Sequence, residues 1–401
     1  MENKLTMSAA ERTKIKVIHQ LETGELLASE ASDLLGISER HVYRLKSEYQ
    51  ARGDVALVHG LRGKRSNRGH SVQVREEVLR LYRERYQDYG PTLFTERLLE
   101  KYAIKISVET TRQWLLSAGL WIRTRAERRH RKRRARRTMI GELVQFDGSH
   151  HQWFENRGET CCLLVAVDDA TSRVFLRFAP SENSRDVMQT LWDYMLLYGI
   201  PRCLYTDHGS VYYAGTTPTD VVRALRVLGT EIIHARSPQA KGRVERSNRT
   251  HQDRLIKTLR EENISSIAEA NRFLTTSYIA DHNARFVSTD GLRDAHRPVD
   301  GYDLKNIFCF EEQRTVYNDY TIRLDAQPIQ LHKSHVPLPP PKQKVLVRRH
   351  LDDSLHIFWR EKELQYTLLD EKPSRVAQSL PMPADNHPWR HKKPIGRARR
   401  K

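Results

Sequence analysis

The sequence predicts a multidomain protein: an all-α N-terminal part with tandem helix-turn-helix units, a central α/β core and a small all-β C-terminal domain. Three observations predict it. Short capped helical patterns fill residues 1–121, strands and helices alternate from 139 to 283, and β-type alternation with turn residues returns over 305–375. At 401 residues the chain is too long for one compact core, which argues for about two to four domains.

In residues 1–58, Ser8-Ala9-Ala10-Glu11 is a capping box followed by Ile15, Ile18 and Leu21 at helical spacing. A second helix carries Ala31, Leu34 and Leu35 and stops at Gly36. Ser38 caps a third, with Val42, Leu45 and Tyr49 inward and Arg40, His41 and Arg44 outward. The pattern repeats over 71–121, with helices at 74–86, 92–101 and 107–116 and with Arg112 and Gln113 on the exposed face of the last. A short helix, a turn and a capped helix with basic outward residues suit the DNA major groove. The linker 59–70 carries Arg62, Lys64 and Arg65, a basic arm suited to a minor groove. In the linker 122–138, residues 123–137 hold ten Lys/Arg and one Glu, a phosphate-tracking composition.

Bulk charge agrees. Lys+Arg 68 against Asp+Glu 50 gives a formal net charge of +18 and a pI near 9.8, which favours a polyanionic partner, double-stranded DNA before a membrane surface. No apolar run approaches the roughly 18–20 residues that span a bilayer, and Met1-Glu2-Asn3-Lys4 lacks an apolar signal region. A cytoplasmic, nucleoid-associated protein with no membrane partner is expected. Cys161, Cys162, Cys203 and Cys309 show no metal-site spacing and read as reduced structural thiols, the adjacent pair facing opposite sides of a strand.

Over 139–283 the pattern predicts strands at 143–147, 161–167 and 173–178, then a helix over 185–198 with Val187, Leu191, Tyr194 and Met195 on one face. A strand at 202–206, a helix at 220–228, a strand at 231–235 and a long helix from 242 to 261 follow. Three antiparallel strands followed by alternating helix and strand is the order of an RNase H-like α/β fold. That order gathers three acids: Asp147 on the first strand, Asp207 after the fourth and Glu245 at the start of the long helix. Separated carboxylates in a basic chain suit hard divalent cations and phosphate chemistry. Asp168 and Asp169, beside a Thr-Ser turn, read as turn residues. His150, His151 and His208 adjoin the acids and are candidates to orient water or phosphate, since imidazole is a poor Mg²⁺ ligand.

Four segments then carry a resemblance: 147–154 (Asp-Gly-Ser-His-His-Gln-Trp-Phe), 167–171 (Val-Asp-Asp-Ala-Thr), 205–210 (Tyr-Thr-Asp-His-Gly-Ser) and 240–246 (Ala-Lys-Gly-Arg-Val-Glu-Arg). They resemble insertion-sequence transposases with an integrase-type DDE core, closest to the ISNCY type. The resemblance implies Asp147, Asp207 and Glu245 as catalytic residues and as ligands of two Mg²⁺ ions, with Mn²⁺ able to substitute. It implies Mg²⁺-dependent cleavage and strand transfer at the element's terminal repeats and target DNA. Lys241, Arg243 and Arg249 become DNA-contact candidates beside Glu245. The chain departs from related cores at His208, where many have Asn, and at Gln252, where some have Lys or Arg. A homo-oligomer, at least a dimer on DNA, is expected because two ends must be cut and joined together. The alternative is a catalytically inactive DNA-binding regulator derived from a transposase.

Over 305–375, alternation around Asn318-Asp319 and paired strands flanking Asp352-Asp353 predict an SH3-like barrel. Pro337 to Pro341 exclude a central strand there. Residues 376–401 form a basic tail expected to be disordered.

Overall fold

The computed structural model describes residues 7–60, 69–123, 135–213, 215, 217–235, 242–288, 291–333 and 338–369. The chain divides into two compact units, residues 1–129 and 130–401. The 61–68 arm with Arg62, Lys64 and Arg65, most of the second basic linker, Lys241 and the tail from 370 lie outside the described residues.

In the first unit, α1 (Ala9–Glu22), α2 (Ala28–Leu35) and α3 (Glu39–Arg52) enclose Val17, Ile18, Ala31, Val42 and Leu45. The capping box forms as expected: Glu11 accepts from the Ser8 backbone N–H at 2.7 Å while the Ser8 hydroxyl accepts from the Glu11 N–H. Gly36 ends α2 in the left-handed conformation, φ 62°, which a Cβ would disfavour. Helices α4 (Val72–Arg85), α5 (Pro91–Tyr102) and α6 (Val108–Ser117) repeat the arrangement around Tyr82, Phe94, Leu98 and Leu115. A buried Thr95–Thr111 hydroxyl bond of 2.8 Å joins α5 to α6.

The second unit opens with a short strand β1 (Met139–Ile140), followed by β2 (Leu143–His151), β3 (Cys161–Asp168) and β4 (Val174–Ala179). Helix α7 (Ser184–Tyr198), β5 (Cys203–Thr206), α8 (Asp220–Val227) and β6 (Glu231–His234) come next. The sheet order is β4-β3-β2-β5-β6, with β2 antiparallel to β3 and parallel to β5; the three successive antiparallel strands and the alternation that follows are those expected from the pattern. Cross-strand alternation separates two cores. Val144, Phe146, Cys162 and Leu204 pack with α7 and α8, including Val187, Leu191, Tyr194 and Met195. Cys161, Leu163, Val165 and Val167 pack on the opposite face against α9 (Gly242–Glu261), α10 (Ile267–Phe273) and α11 (Ile279–Phe286). The adjacent cysteines thus face opposite sides, as expected, and all four thiols are free.

Strand β7 (Arg293–Asp294) pairs with β1 and leads to α12 (Leu304–Ile307). The C-terminal strands are β8 (Cys309–Thr315), β9 (Thr321–Leu324), β10 (Gln327–Leu331), β11 (Lys344–His350), β12 (Leu355–Trp359), β13 (Lys362–Leu364) and β14 (Tyr366–Leu368). They differ from the expected barrel. Among the described residues they form two sheets, β14-β10-β9 and β13-β12-β11-β8, over one core of Val316, Ile322, Ile329, Val345, Val347 and Ile357. Hairpins at Asp325-Ala326 and Arg360-Glu361, all with positive φ, join β9 to β10 and β12 to β13, while β14 and β8 complete the two separate sheets on β10 and β11. No described residue of 338–341 is in a strand.

Candidate active site and nucleic-acid interface

Strand register brings the first two acids to one level. Leu143, Val144 and Gln145 pair with Cys203, Leu204 and Tyr205, an offset of 60 (203 − 143), and the same offset separates Asp147 from Asp207. Because Val144 and Phe146 point into the α7/α8 core, alternation turns Asp147 to the face that α9 covers, while Asp207 follows directly on the end of β5. Asp147 is half-buried; Asp207 is exposed and accepts from the Gly209 N–H at 2.8 Å.

Helix α9 is held against that face beside Glu245. The Val244 N–H donates to Gln145 Oε1 at 3.3 Å, and Asn248 Nδ2 donates to Asp147 Oδ2 at 3.1 Å. Glu245 and Asn248, three residues apart, share one side of the helix, so half-buried Glu245 lies on the side from which Asn248 reaches Asp147. One turn further on, Gln252 Nε2 donates to the Ser149 hydroxyl at 3.2 Å.

Among the described residues, no group of three or more His, Cys, Asp or Glu side chains is gathered as a metal site. The oxygen chemistry nevertheless fits a hard cation, and Asn248 Oδ1, buried beside Asp147, has no hydrogen-bond partner among the described residues. Repulsion among three ionised carboxylates opposes their approach to ligating distance, and a bound cation would offset it.

A further carboxylate, Glu182, was not legible. It accepts from the Tyr212 hydroxyl at 3.2 Å, and a Cβ on Gly148 would lie 2.2 Å from its Oε2. Burial, then the charges of Glu182, Asp207 and Asp147, push the Tyr212 phenol well above its usual range, so Tyr212 stays a donor. The available signal was Gly148 itself, a glycine inside a strand directly after an acid.

The neighbouring histidines divide. His150 and His151 are exposed, His151 edge-on to Trp153 at 5.8 Å. His208 stacks on His234 at 4.9 Å, and His234 Nδ1 lies 3.1 Å from the Asp207 carbonyl, so this pair buttresses the turn after β5.

The two acids read as turn residues, Asp168 and Asp169, also separate. Asp168 accepts from Gly141 N–H, Thr171 N–H and the Thr171 hydroxyl at 2.8, 2.8 and 2.6 Å, the turn role expected. Asp169 does more than hold a turn: its Oδ1 accepts from Gln145 Nε2 and from the Arg243 guanidinium, both at 2.8 Å. Arg243, expected to face DNA, is turned inward toward this buried acid instead. Arg249 is exposed on α9, and Arg254 lies 5.2 Å over the Phe286 ring.

In the first unit Arg40 and Arg44 are exposed on α3, Arg44 within 3.0 Å of His41 Nε2. On α6, Gln113 Nε2 donates to Glu109 at 2.8 Å and Arg112 pairs with the same carboxylate. No described helix is long and apolar enough to cross a membrane.

The helix-turn-helix domain family matches residues 13–66. A Sinorhizobium fredii chain named as transposase y4bF is 37% identical over 386 residues, covering 94% of this chain and 84% of its own. The transposase for insertion sequence IS1202 of Streptococcus pneumoniae is 26% identical over 444 residues, covering 95% and 93%. The catalytic core of HTLV-2 integrase, solved with magnesium, matches 34% of this chain and 83% of that one at 19% identity and a TM-score of 0.29. A DNA-binding helix-turn-helix region and a relative of this identity over nearly the whole length place the chain in the transposase family.

Proposed function

We propose that this transposase is of the DDE type, binding the terminal repeats of its own insertion sequence and catalysing cleavage and strand transfer at Asp147, Asp207 and Glu245. The observation that carries the reading is the strand register. Asp147 on β2 and Asp207, the residue that follows β5, keep the offset of 60 at which these parallel strands pair, and the helix bearing the third acid is bonded to Asp147.

Asp147 and Asp207 would hold one cation, and Asp147 and Glu245 the other. Mg²⁺, or Mn²⁺ in its place, would supply Lewis acidity toward the attacking and leaving oxygens. Asn248 fixes the rotamer of Asp147, and Tyr212 holds Glu182 against Gly148 on β2. Oxygen donors held on rigid elements need little rearrangement as charge develops on the phosphate. Arg40, His41, Arg44, Arg112 and Gln113 would contact the terminal repeat, and exposed Arg249 the DNA near the acids.

Asp147→Asn, Asp207→Asn and Glu245→Gln are each expected to abolish cleavage and strand transfer in Mg²⁺ while leaving end binding nearly intact. Cleavage of donor DNA by Glu245→Gln at close to the wild-type rate would refute the assignment. The inactive-regulator alternative predicts no cleavage by the wild-type chain.

A further inference from the structure

Asp169 is a fully buried carboxyl group that lies outside the proposed ligand set. Its carboxylate gathers donors from three separate segments. Oδ1 accepts from Gln145 on β2 and Arg243 on α9, and Oδ2 accepts from the Arg137 N–H at 3.0 Å. A buried carboxylate is tolerated only when paired and hydrogen-bonded, so this one specifies where its partners stand. The α9 residues that Asp169 and Gln145 hold lie immediately before Glu245. Arg243 is two residues ahead of it, and Val244, one residue ahead, donates its N–H to the other end of the Gln145 amide.

The Gln145 side chain is therefore oriented from both ends. Its NH₂ is taken by Asp169, which leaves its oxygen to accept one of the helix-start N–H groups that have no intrahelical partner. Gln145 is also two residues from Asp147 on the same strand face. We infer that Asp169 is a positioning residue. Through Gln145 and Arg243 it sets the start of α9, and thereby the placement of Glu245 relative to Asp147. This inference rests on the proposed role of Glu245 and extends it to a residue that otherwise reads as part of a turn.

Asp168 provides an internal control: it is equally buried and adjacent in sequence, its carboxylate accepts from Gly141 and Thr171, and among the described residues none of its partners is on α9. The test uses the full-length chain carrying Asp169→Asn, Gln145→Leu, Arg243→Met or Asp168→Asn. Two readouts are taken: backbone amide exchange over residues 243–248, and the affinity for Mn²⁺ alone by paramagnetic resonance titration. The first three substitutions are expected to speed exchange at the start of α9. They should weaken Mn²⁺ binding by about 10–100-fold, as loss of a ligand's supporting partner typically does. Asp168→Asn should change neither, whatever it does to the unfolding midpoint. If Asp169→Asn fails to fold, Gln145→Leu decides, because it retains the Asp169–Arg243 ion pair. Equal behaviour of Asp169→Asn and Asp168→Asn in both readouts would overturn the inference. Failure of the functional reading is distinct: Glu245→Gln would then keep wild-type Mn²⁺ affinity and cleavage, whereas the exchange result still judges the link from Asp169 to α9.

Discussion

His251 and His282 show how burial sets the chemistry of single residues. His251 is fully buried on α9, its Nδ1 3.0 Å from the Tyr278 hydroxyl and its Nε2 3.0 Å from the Ser247 hydroxyl. The ring of His282 lies 4.6 Å away. Desolvation holds His251 well below the usual imidazole value, and desolvation with the charges of Arg254 and Arg285 brings His282 down to about 4. Both values are lower in the folded chain than in the unfolded one, so acid favours the unfolded state, which takes up the protons first. Stability is complete above about 6.5 and is lost as pH falls toward about 4. The urea midpoint of the core is expected to drop between pH 7 and pH 5, and His282→Phe should flatten that slope. Equal slopes for wild type and variant in a circular-dichroism series would remove His282 as the cause.

At the scale of elements, the first unit is assembled largely from local signals. Ser8, Ser71 and Ser107 each accept from a first-turn N–H, and Gly36 stops α2. Two helices, α3 and α6, then present basic and amide side chains. Arg112 and Gln113 are tied to Glu109, so reading a base requires giving up those bonds. Residues 1–121 alone are expected to bind the terminal repeat specifically, with affinity falling steeply as salt rises because neutralised phosphates release counterions. Arg44→Ala and Arg112→Ala should each cost about 1–3 kcal/mol and relax discrimination if they read a base bidentately. Footprints protected only by chains containing residues 139–283 would contradict this division of labour.

For the whole molecule, a net charge of +18 opposes association of free chains and favours assembly once DNA neutralises it. One set of three acids serves one strand at a time, while moving an element requires two ends. A homo-oligomer, at least a dimer, is therefore expected to form or tighten on terminal DNA. Mixing an Asp207→Asn chain with an Arg44→Ala/Arg112→Ala chain should restore some cleavage, because one subunit would grip the end that another cuts. A light-scattering mass of one chain per pair of DNA ends, with full joining activity, would rule this out.

The sequence by itself determined the order of elements, the paired helical units and the positions of Asp147, Asp207 and Glu245 along them. Caps, glycine stops and periods of two or 3.6 are encoded within a few residues, so they are readable without partners. Only the tertiary structure decided what those residues meet. Arg243 looked like a DNA contact among basic neighbours, yet its partner Asp169 lies 74 residues away. Gln145 and Asn248 meet α9 and Asp147 across 99 and 101 residues. Strand β10 pairs both with β9 beside it and with β14, which completes its sheet from the far end of the domain. Burial selects such partners: once Asp169 leaves water, its carboxyl group must be answered by whichever donors the fold brings to it, and local sequence does not name them.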